Sequence, residues 1–282
     1  MSTVLIVGAG TMGHGIAQVA AATGDTVRLF DPLAGATERG LTKVRENLDQ
    51  GVAKGKVTAE SRDATLARLS GAVDLASGAA GADIVVEAIP ERLELKVALF
   101  KELDVLTSAA CVFATNTSSL SIAKIAAGSA HPERVIGTHF FNPVHLMALL
   151  EIVVHEGTSA DVLARVQAWG KQLGKDAIVV RDFPGFASSR LGVCLGMEAI
   201  RMVEQGVASP EDIDKAMVQG YRHPVGPLRL SDLVGLDVRM AIGEYLAKEL
   251  GNPAFEPPAL MRKMVAEGRL GKKAGRGFYD WP

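Results

Sequence analysis

A glycine-rich junction between a predicted strand and a predicted helix restricts the fold of this chain more than any other feature. Residues 3–7 form a continuous apolar run rich in β-branched side chains, which is typical of a strand buried on both faces of a parallel sheet. Three glycines with the spacing Gly-x-Gly-x-x-Gly follow this run: Gly8, Gly10 and Gly13. Residues 12–22 then favour a helix, and residues 27–30 predict a second strand. The order β-α-β requires parallel pairing with a right-handed crossover.

In this context the glycines predict a dinucleotide site. Gly8 permits a tight turn, and Gly10 lets the backbone approach a pyrophosphate. Gly13 lets the helix pack closely on the strand. Thr11 and Met12 stand at the start of that helix, where unpaired N–H groups and the positive end of the helix dipole face the phosphates. The alternative is a glycine-rich turn with no ligand.

An acidic residue at the end of the second strand selects between two cofactors. Asp31 stands there, followed by Pro32 rather than by an arginine. A carboxylate at this position can accept hydrogen bonds from the adenosine ribose hydroxyls and repels a 2′-phosphate. The sequence therefore predicts NAD rather than NADP, unless Asp31 is an ordinary surface acid.

The rest of the chain predicts two domains. Helices are expected over 35–69 and 91–106. Further strands are expected at 83–88, 111–114, 135–137, 150–154 and 176–180. Strand character then ends, and helices are expected over 188–205 and from Ser209 onward, where a serine, a proline and two acids form a helix start. We predict an α/β fold with a Rossmann-type doubly wound sheet over residues 1–183, followed by an all-helical C-terminal domain over residues 184–282.

Composition excludes several classes of function. Lys and Arg number 30 against 32 Asp and Glu, so no basic footprint for nucleic acid is expected. The two cysteines, Cys111 and Cys194, are far apart and near no histidine cluster, so no metal site is expected and both are interpreted as small apolar side chains. No apolar stretch is long enough to span a bilayer and no leader is recognisable. We therefore expect a cytoplasmic protein without membrane or nucleic-acid partners.

Several segments together resemble the short-chain L-3-hydroxyacyl-CoA dehydrogenase family. They are Val-Val-Glu-Ala-Ile-Pro-Glu at 85–91, Asn-Thr-Ser-Ser-Leu at 116–120, His-Phe-Phe-Asn-Pro-Val at 139–144, Glu-Ile-Val at 151–153, Pro-Gly-Phe at 184–186 and Gly-Lys-Lys-Ala-Gly-Arg-Gly-Phe-Tyr at 271–279. They occur in the family's order across nearly the whole chain. The resemblance implies an NAD-dependent oxidoreductase that interconverts (S)-3-hydroxyacyl-CoA and 3-oxoacyl-CoA, with a short substrate such as 3-hydroxybutyryl-CoA.

The resemblance also assigns the catalytic residues. Oxidation of a secondary alcohol needs a base for the hydroxyl proton, and His139 can gain and lose a proton near neutral pH. Glu151 matches the family's carboxylate partner, and Ser118 and Asn142 match residues that position the substrate oxygen. The alternatives are a core histidine bonded to backbone, a helix N-cap for Ser118 and a turn-forming Asn-Pro for Asn142.

Other residues match family positions that bind the cofactor or the substrate. Glu91 and Lys96 match family residues near the nicotinamide ribose, and an exposed helix pair is the alternative. Lys273 matches a lysine that contacts the cofactor. Lys54 lies where the family holds the CoA nucleotide, although a solvated lysine is equally consistent. Ser189 replaces a family asparagine of the substrate site, and a water could fill the gap. His145 and Ala148 depart from the family's common Pro and Lys.

Two other functions remain open from the sequence. An NAD-dependent dehydrogenase of this fold could act on a free 3-hydroxy acid or a sugar acid such as gulonate. A non-catalytic NAD-binding or structural relative needs neither His139 nor Glu151. A homodimer through the helical domain is expected, because its apolar side chains exceed what such a domain can hide. They are Met197, Ile200, Met202, Val203, Met217, Leu230, Leu233, Val234 and Leu236. Fatty-acid metabolism is one expected setting, and benzoate or phenylacetate breakdown and butyrate or polyester metabolism would use the same reaction. Acyl-chain length, physiological direction and pathway are open from the sequence.

Overall fold

The computed structural model describes residues 1–282 and divides them into two compact units, Met1–Phe183 and Pro184–Pro282. The first unit holds one eight-stranded sheet with the order β3-β2-β1-β4-β5-β6-β7-β8. Its strands are β1 (Thr3–Val7), β2 (Thr26–Phe30), β3 (Leu69–Gly71), β4 (Ile84–Glu87), β5 (Val112–Thr115), β6 (Val135–Phe140), β7 (Leu149–Val154) and β8 (Asp176–Arg181). All neighbours are parallel except β6 and β7, which are antiparallel.

Helices cover this sheet and complete the α/β architecture of the first unit. They are α1 (Thr11–Ala22), α2 (Ala36–Ala53), α3 (Ala59–Ala67), α4 (Leu75–Ala79), α5 (Leu93–Leu106), α6 (Ile122–Ala126) and α7 (Ala160–Gln172). Every residue of the central strands β4, β5 and β6 is buried, as expected from their continuous apolar runs. The predicted Rossmann-type sheet is confirmed.

Four local predictions need correction. The polar stretch 35–69 is two helices rather than one, because the Thr58 side chain accepts the Ser61 N–H and starts α3 anew. The short strand β3 and the short helix α4 were not predicted. Helix α5 begins at Leu93, so Glu91 lies in the loop before it. Strand β6 continues through Phe140, which places His139 inside the strand rather than after its end.

The second unit is helical, as predicted. It contains α8 (Ser188–Glu204), α9 (Pro210–Lys215), α10 (Pro227–Val234), α11 (Leu236–Leu250) and α12 (Ala259–Ala266), with a π-helical turn at Ala216–Gly220. Buried Asp232 fastens the C-terminal segment, because its carboxylate accepts the N–H groups of Phe278 and Tyr279 and the indole N–H of Trp281. No helix in the chain combines the length and apolar character needed to cross a membrane.

The apolar surplus expected in the helical unit is smaller than its composition indicates. Of the nine side chains named for it, Met197, Ile200 and Leu236 are buried in the unit's own core. Only Leu233 and Val234 count as exposed, at 45% and 42%. Five side chains that were not singled out are also exposed, at between 38% and 76%: Leu191, Val207, Val218, Tyr221 and Val238. The exposed apolar surface is thus real but consists mainly of other residues.

Candidate active site

The glycine turn between β1 and α1 has the close contacts that its spacing predicts. Gly8 has a φ of +102°, and a Cβ there would lie 2.5 Å from the Ala88 carbonyl oxygen. A Cβ on Gly13 would lie 1.7 Å from the Gly8 carbonyl oxygen. Only glycine fits at these two positions, because the turn, the start of α1 and the end of β4 touch through their backbones.

Gly10 differs, since a Cβ there would meet nothing within 4 Å. Helix α1 begins directly after it, and no side chain caps the helix N-terminus. The residues of this turn line a groove with a volume of about 880 Å³, together with Ala88, Ile89 and Leu95. Open space above uncapped helix N–H groups fits a pyrophosphate that approaches the backbone at Gly10.

Asp31, at the end of β2, lies beside the same groove and is half-buried. One oxygen of its carboxylate accepts the Ala9 N–H at 2.8 Å, and the other accepts the Leu33 N–H at 2.9 Å. Each carboxylate oxygen can accept a second hydrogen bond, so capacity for two ribose hydroxyls remains. The turn, the groove and this acid fit the adenosine half of NAD.

The strand order indicates where the part of the site that holds the reacting groups should lie. Strand β1 lies between β2 and β4, so the direction of chain progression reverses there. Ligands of open α/β sheets bind outside the carboxyl ends of the strands at such a switch point. Glu87 ends β4 and Thr115 ends β5, so both stand at this edge of the sheet.

His139 and Glu151 form a buried pair across β6 and β7. The antiparallel register sets them directly opposite each other, and the imidazole Nδ1 lies 2.7 Å from the Glu151 Oε2. Their side chains are 7% and 0% exposed. The Phe141 ring packs against the imidazole with a centroid distance of 4.4 Å. A carboxylate at this distance favours the tautomer that carries the proton on Nδ1.

Ser118 follows β5 in a loop held by Glu91. The Glu91 Oε1 accepts the Ser118 N–H at 2.9 Å and the Thr117 hydroxyl at 2.5 Å. The Ser118 hydroxyl makes no hydrogen bond within the chain, whereas the cap of helix α6 is Ser121. The N-cap alternative for Ser118 is therefore wrong, and its hydroxyl is available to a ligand.

Lys96 is not the exposed helix residue of the alternative interpretation. Its side chain is 0% exposed and its ammonium lies 2.6 Å from Glu87 Oε1 and 3.2 Å from Glu91 Oε2. The ammonium also donates a hydrogen bond to the Ile89 carbonyl oxygen at 3.4 Å. Its partners within the chain are therefore two hydrogen-bond acceptors, on Glu87 and Ile89, and an ion-pair partner, Glu91.

The remaining residues named from the sequence occupy varied positions. Asn142 is exposed in the loop after β6 and makes no side-chain hydrogen bond. Lys54 is exposed at the C-terminus of α2. In the second unit, Ser189 is half-buried in the first turn of α8, and Lys273 forms a 2.6 Å ion pair with Asp237. Contacts of these four with cofactor or substrate remain predictions.

Two residues of this region escaped the sequence reasoning. Glu87 was visible only as an acid inside the resemblance segment 85–91. Asn116 follows β5, and its side-chain oxygen accepts the Phe140 N–H at 2.9 Å, which ties that strand end to the residue after His139. The sequence feature that could have identified both residues is a polar side chain at the carboxyl end of an apolar strand, where ligands of such sheets bind. No group of His, Cys, Asp and Glu residues in the chain could hold a metal ion.

Comparison with known proteins agrees with this geometry. Residues 3–183 match the family described as 3-hydroxyacyl-CoA dehydrogenase, NAD binding domain, and residues 185–281 match its C-terminal domain. A probable 3-hydroxybutyryl-CoA dehydrogenase of Bacillus subtilis is 44% identical, with coverage of 99% of this chain and 96% of that protein. The 3-hydroxybutyryl-CoA dehydrogenase of Mycobacterium tuberculosis is 43% identical, with coverage of 98% and 97%.

Solved structures give the same result. The crystal structure of (S)-3-hydroxybutyryl-CoA dehydrogenase from Ralstonia eutropha matches with a TM-score of 0.95 and 43% identity, and the match covers 100% of this chain and 99% of that one. The family models, the relatives and the solved structure agree over nearly the whole length. The chain therefore belongs to the 3-hydroxyacyl-CoA dehydrogenase family of NAD-dependent oxidoreductases.

Proposed function

We propose that this chain interconverts (S)-3-hydroxyacyl-CoA and 3-oxoacyl-CoA, and that a short thioester such as 3-hydroxybutyryl-CoA is a substrate. The observation that carries the proposal is the buried 2.7 Å hydrogen bond between His139 and Glu151 across the adjacent strands β6 and β7. The names of the relatives from Bacillus subtilis and Mycobacterium tuberculosis support the choice of acyl group. Fatty-acid metabolism is the proposed setting.

The geometry of the His139–Glu151 pair determines which ring nitrogen takes part in the proposed proton transfer. NAD, when bound, supplies the hydride acceptor, and its reduced form supplies the donor in the reverse direction. His139 takes the 3-hydroxyl proton at Nε2, because its Nδ1 proton is held by Glu151. Glu151 then faces an imidazolium, and a carboxylate excluded from water stabilises that cation strongly. In the reverse direction the imidazolium returns the proton to the 3-oxygen.

Other residues orient the reactants. The Ser118 hydroxyl and the Asn142 amide are proposed to position the 3-oxygen, since neither side chain is engaged within the chain. Lys54 is proposed to contact the CoA phosphates as an exposed cation. Lys273 is proposed for the cofactor and Ser189 for the substrate, on the motif positions that they occupy.

Oxidation of NADH with acetoacetyl-CoA tests the proposal. We expect steady turnover that is saturable in acetoacetyl-CoA and much slower with free acetoacetate or with NADPH. A series of thioesters of increasing chain length then defines the acyl preference. Absence of turnover on acetoacetyl-CoA at high enzyme concentration would refute the substrate assignment, and faster turnover of a free hydroxy acid would support the sugar-acid alternative.

Assembly and location complete the proposal. A homodimer through the helical unit is supported by four exposed apolar side chains on its surface. They are Leu191, Leu233, Val234 and Val238. Sedimentation of a monomer at micromolar concentration would overturn this part. A cytoplasmic location is also part of the proposal.

A further inference from the structure

Glu87 is a buried carboxylate that the proposed reaction does not use. It ends β4, beside Val7 of β1, and its residue is 0% exposed. The Oε2 accepts the Thr115 hydroxyl at 2.5 Å, and the Oε1 accepts the Ile89 N–H at 2.8 Å and the Lys96 ammonium at 2.6 Å. Both oxygens of this carboxylate are therefore bonded to groups of the protein, and the side chain is shielded from solvent.

A continuous chain of ion pairs and hydrogen bonds runs from Glu87 to Ser118. The Lys96 ammonium bridges Glu87 to Glu91, and the other oxygen of Glu91 accepts the Ser118 N–H. Glu91 itself is 39% exposed and precedes α5, so the helix backbone does not hold its side chain. The ammonium and the Ser118 loop are what keep its carboxylate in one place.

The charge balance of this chain is unusual for a structural ion pair. Two carboxylates share one ammonium, which leaves a net negative charge beside the glycine turn. Burial of Glu87 is costly, and a well-packed apolar residue of similar volume would often stabilise the fold as much. A charged arrangement of this kind is therefore better suited to fixing the position of its groups than to adding stability.

A second buried ion pair on the same helix provides the contrast. Asp104, in the last turn of α5, pairs with Arg134 and accepts the Ser129 hydroxyl and the Ala130 N–H. This pair lies at the opposite end of the helix from Lys96. It joins α5 to the segment before β6 and connects to none of the candidate site residues.

We propose that Glu87 is a positioning residue, which holds the Lys96 ammonium so that Glu91 fixes the Ser118 loop for reaction. Glu87 acts on the substrate side only through this chain and touches neither reactant. The contact of Ser118 with the substrate rests on the proposed function, whereas the link between Glu87 and the Ser118 backbone does not.

Hydrogen exchange tests that link without any ligand. In the full-length chain, Glu87→Gln removes the charge that holds Lys96 while keeping the shape of the side chain. We expect the Ser118 amide to exchange about tenfold faster, while the Val112 amide in β5 keeps its protection. Asp104→Asn is the matched control and should leave the Ser118 amide unchanged. Unchanged exchange at Ser118, or an equal rise at Val112, would overturn the proposal.

A double-mutant cycle tests the consequence for turnover of acetoacetyl-CoA. We expect Glu87→Gln to lower kcat/KM about tenfold in the native background, but less than about twofold when Ser118→Ala is already present. Thr115→Val is a milder second variant that leaves all charges in place and should act in the same direction. Equal losses in both backgrounds would overturn the chain from Glu87 to Ser118, even with wild-type turnover intact. Failure of the wild type to turn over would instead contradict the proposed function.

Discussion

Glu151 and Glu87 are both fully buried carboxylates of one sheet, yet their partners differ in kind. Glu151 pairs with an imidazole across two antiparallel strands, at 2.7 Å. Glu87 pairs with a lysine from the helix that follows its own strand, at 2.6 Å. The ordinary pKa of an imidazole lies near neutral pH, whereas that of a lysine ammonium lies at about 10.4.

The difference separates two uses of a buried acid. Beside His139, a fixed negative charge makes proton uptake favourable at the moment of reaction, so the pair can carry chemistry. Beside Lys96, the partner is an ammonium that exchanges no proton with the reactants, and the pair contributes the position of its groups. Burial raises the pKa of Glu87, and the Lys96 ammonium and the Thr115 hydroxyl oppose that rise. Removing His139 should therefore mainly lower turnover, whereas removing Lys96 leaves a buried carboxylate without its counter-charge and should lower stability.

The largest effect is expected from loss of the titratable partner. His139→Gln should lower kcat for acetoacetyl-CoA reduction by about 10³-fold, because general acid–base catalysis contributes at this scale. NADH affinity, followed by fluorescence titration, should change little. His131→Gln is a suitable control, since His131 also faces a glutamate, at 3.3 Å, but both side chains are about half exposed. Substantial activity in His139→Gln would remove this residue from its proposed role.

The features of the fold that could be predicted from the sequence are those that depend on short stretches of neighbouring residues. The glycine turn and strands β1 and β4 were predicted because continuous apolar runs and spacing are properties of short segments. Strand β3 was missed because it is three residues long and largely exposed, so it leaves no burial pattern. The errors in element boundaries arise because the start of a helix depends on capping contacts such as that of Thr58, which the apolar pattern does not show.

The candidate site shows the same limit. His139 was predicted as a base from its residue type and surrounding motif, but its alignment with Glu151 depends on the antiparallel register of β6 and β7. An apolar strand reads alike in either direction, so only the resemblance proposed that pairing. The sequence around Glu87 does not indicate Lys96 as its partner. The two residues meet only because the loop 88–92 turns the chain so that α5 packs near the end of β4.

Loss of Lys96 should affect stability. Lys96→Met leaves Glu87 buried without its counter-charge, and we expect the free energy of unfolding at pH 8 to fall by about 3–5 kcal/mol. Urea unfolding measures this, and Glu87→Gln combined with Lys96→Met should recover most of the loss. A fall no larger than that caused by an exposed lysine, such as Lys124→Met, would mean that the buried pair contributes nothing to stability.

The pH dependence of that variant has a defined sign. Without Lys96, the pKa of buried Glu87 rises further, so the folded chain binds a proton that the unfolded chain releases above about pH 4.3. The free energy of unfolding therefore decreases as pH rises from this value through the folded-state pKa. We expect the deficit against wild type to be smaller at pH 5 than at pH 8. A deficit independent of pH would show that Glu87 stays ionised without its partner.

A third carboxylate sharpens the comparison, because Asp31 is half-buried and its partners in the chain are backbone N–H groups alone. Its charge is thus not neutralised by any side chain and can act on a bound ligand. Asp31→Asn should lower the preference for NADH over NADPH in kcat/KM by about tenfold, since one repulsive charge near the 2′-phosphate is worth about this much. The shift should come mainly from a lower KM for NADPH.

The control for Asp31→Asn must lose a backbone acceptor without touching the groove. Asp83→Asn meets this need, because Asp83 Oδ2 accepts the Thr3 N–H at 2.8 Å at the opposite end of β1 from the glycine turn. Both substitutions should cost about 1 kcal/mol of stability through the weakened hydrogen bond. Only Asp31→Asn should alter the cofactor preference. If Asp83→Asn changed that preference equally, the effect would stem from the strand's position and not from the charge of Asp31.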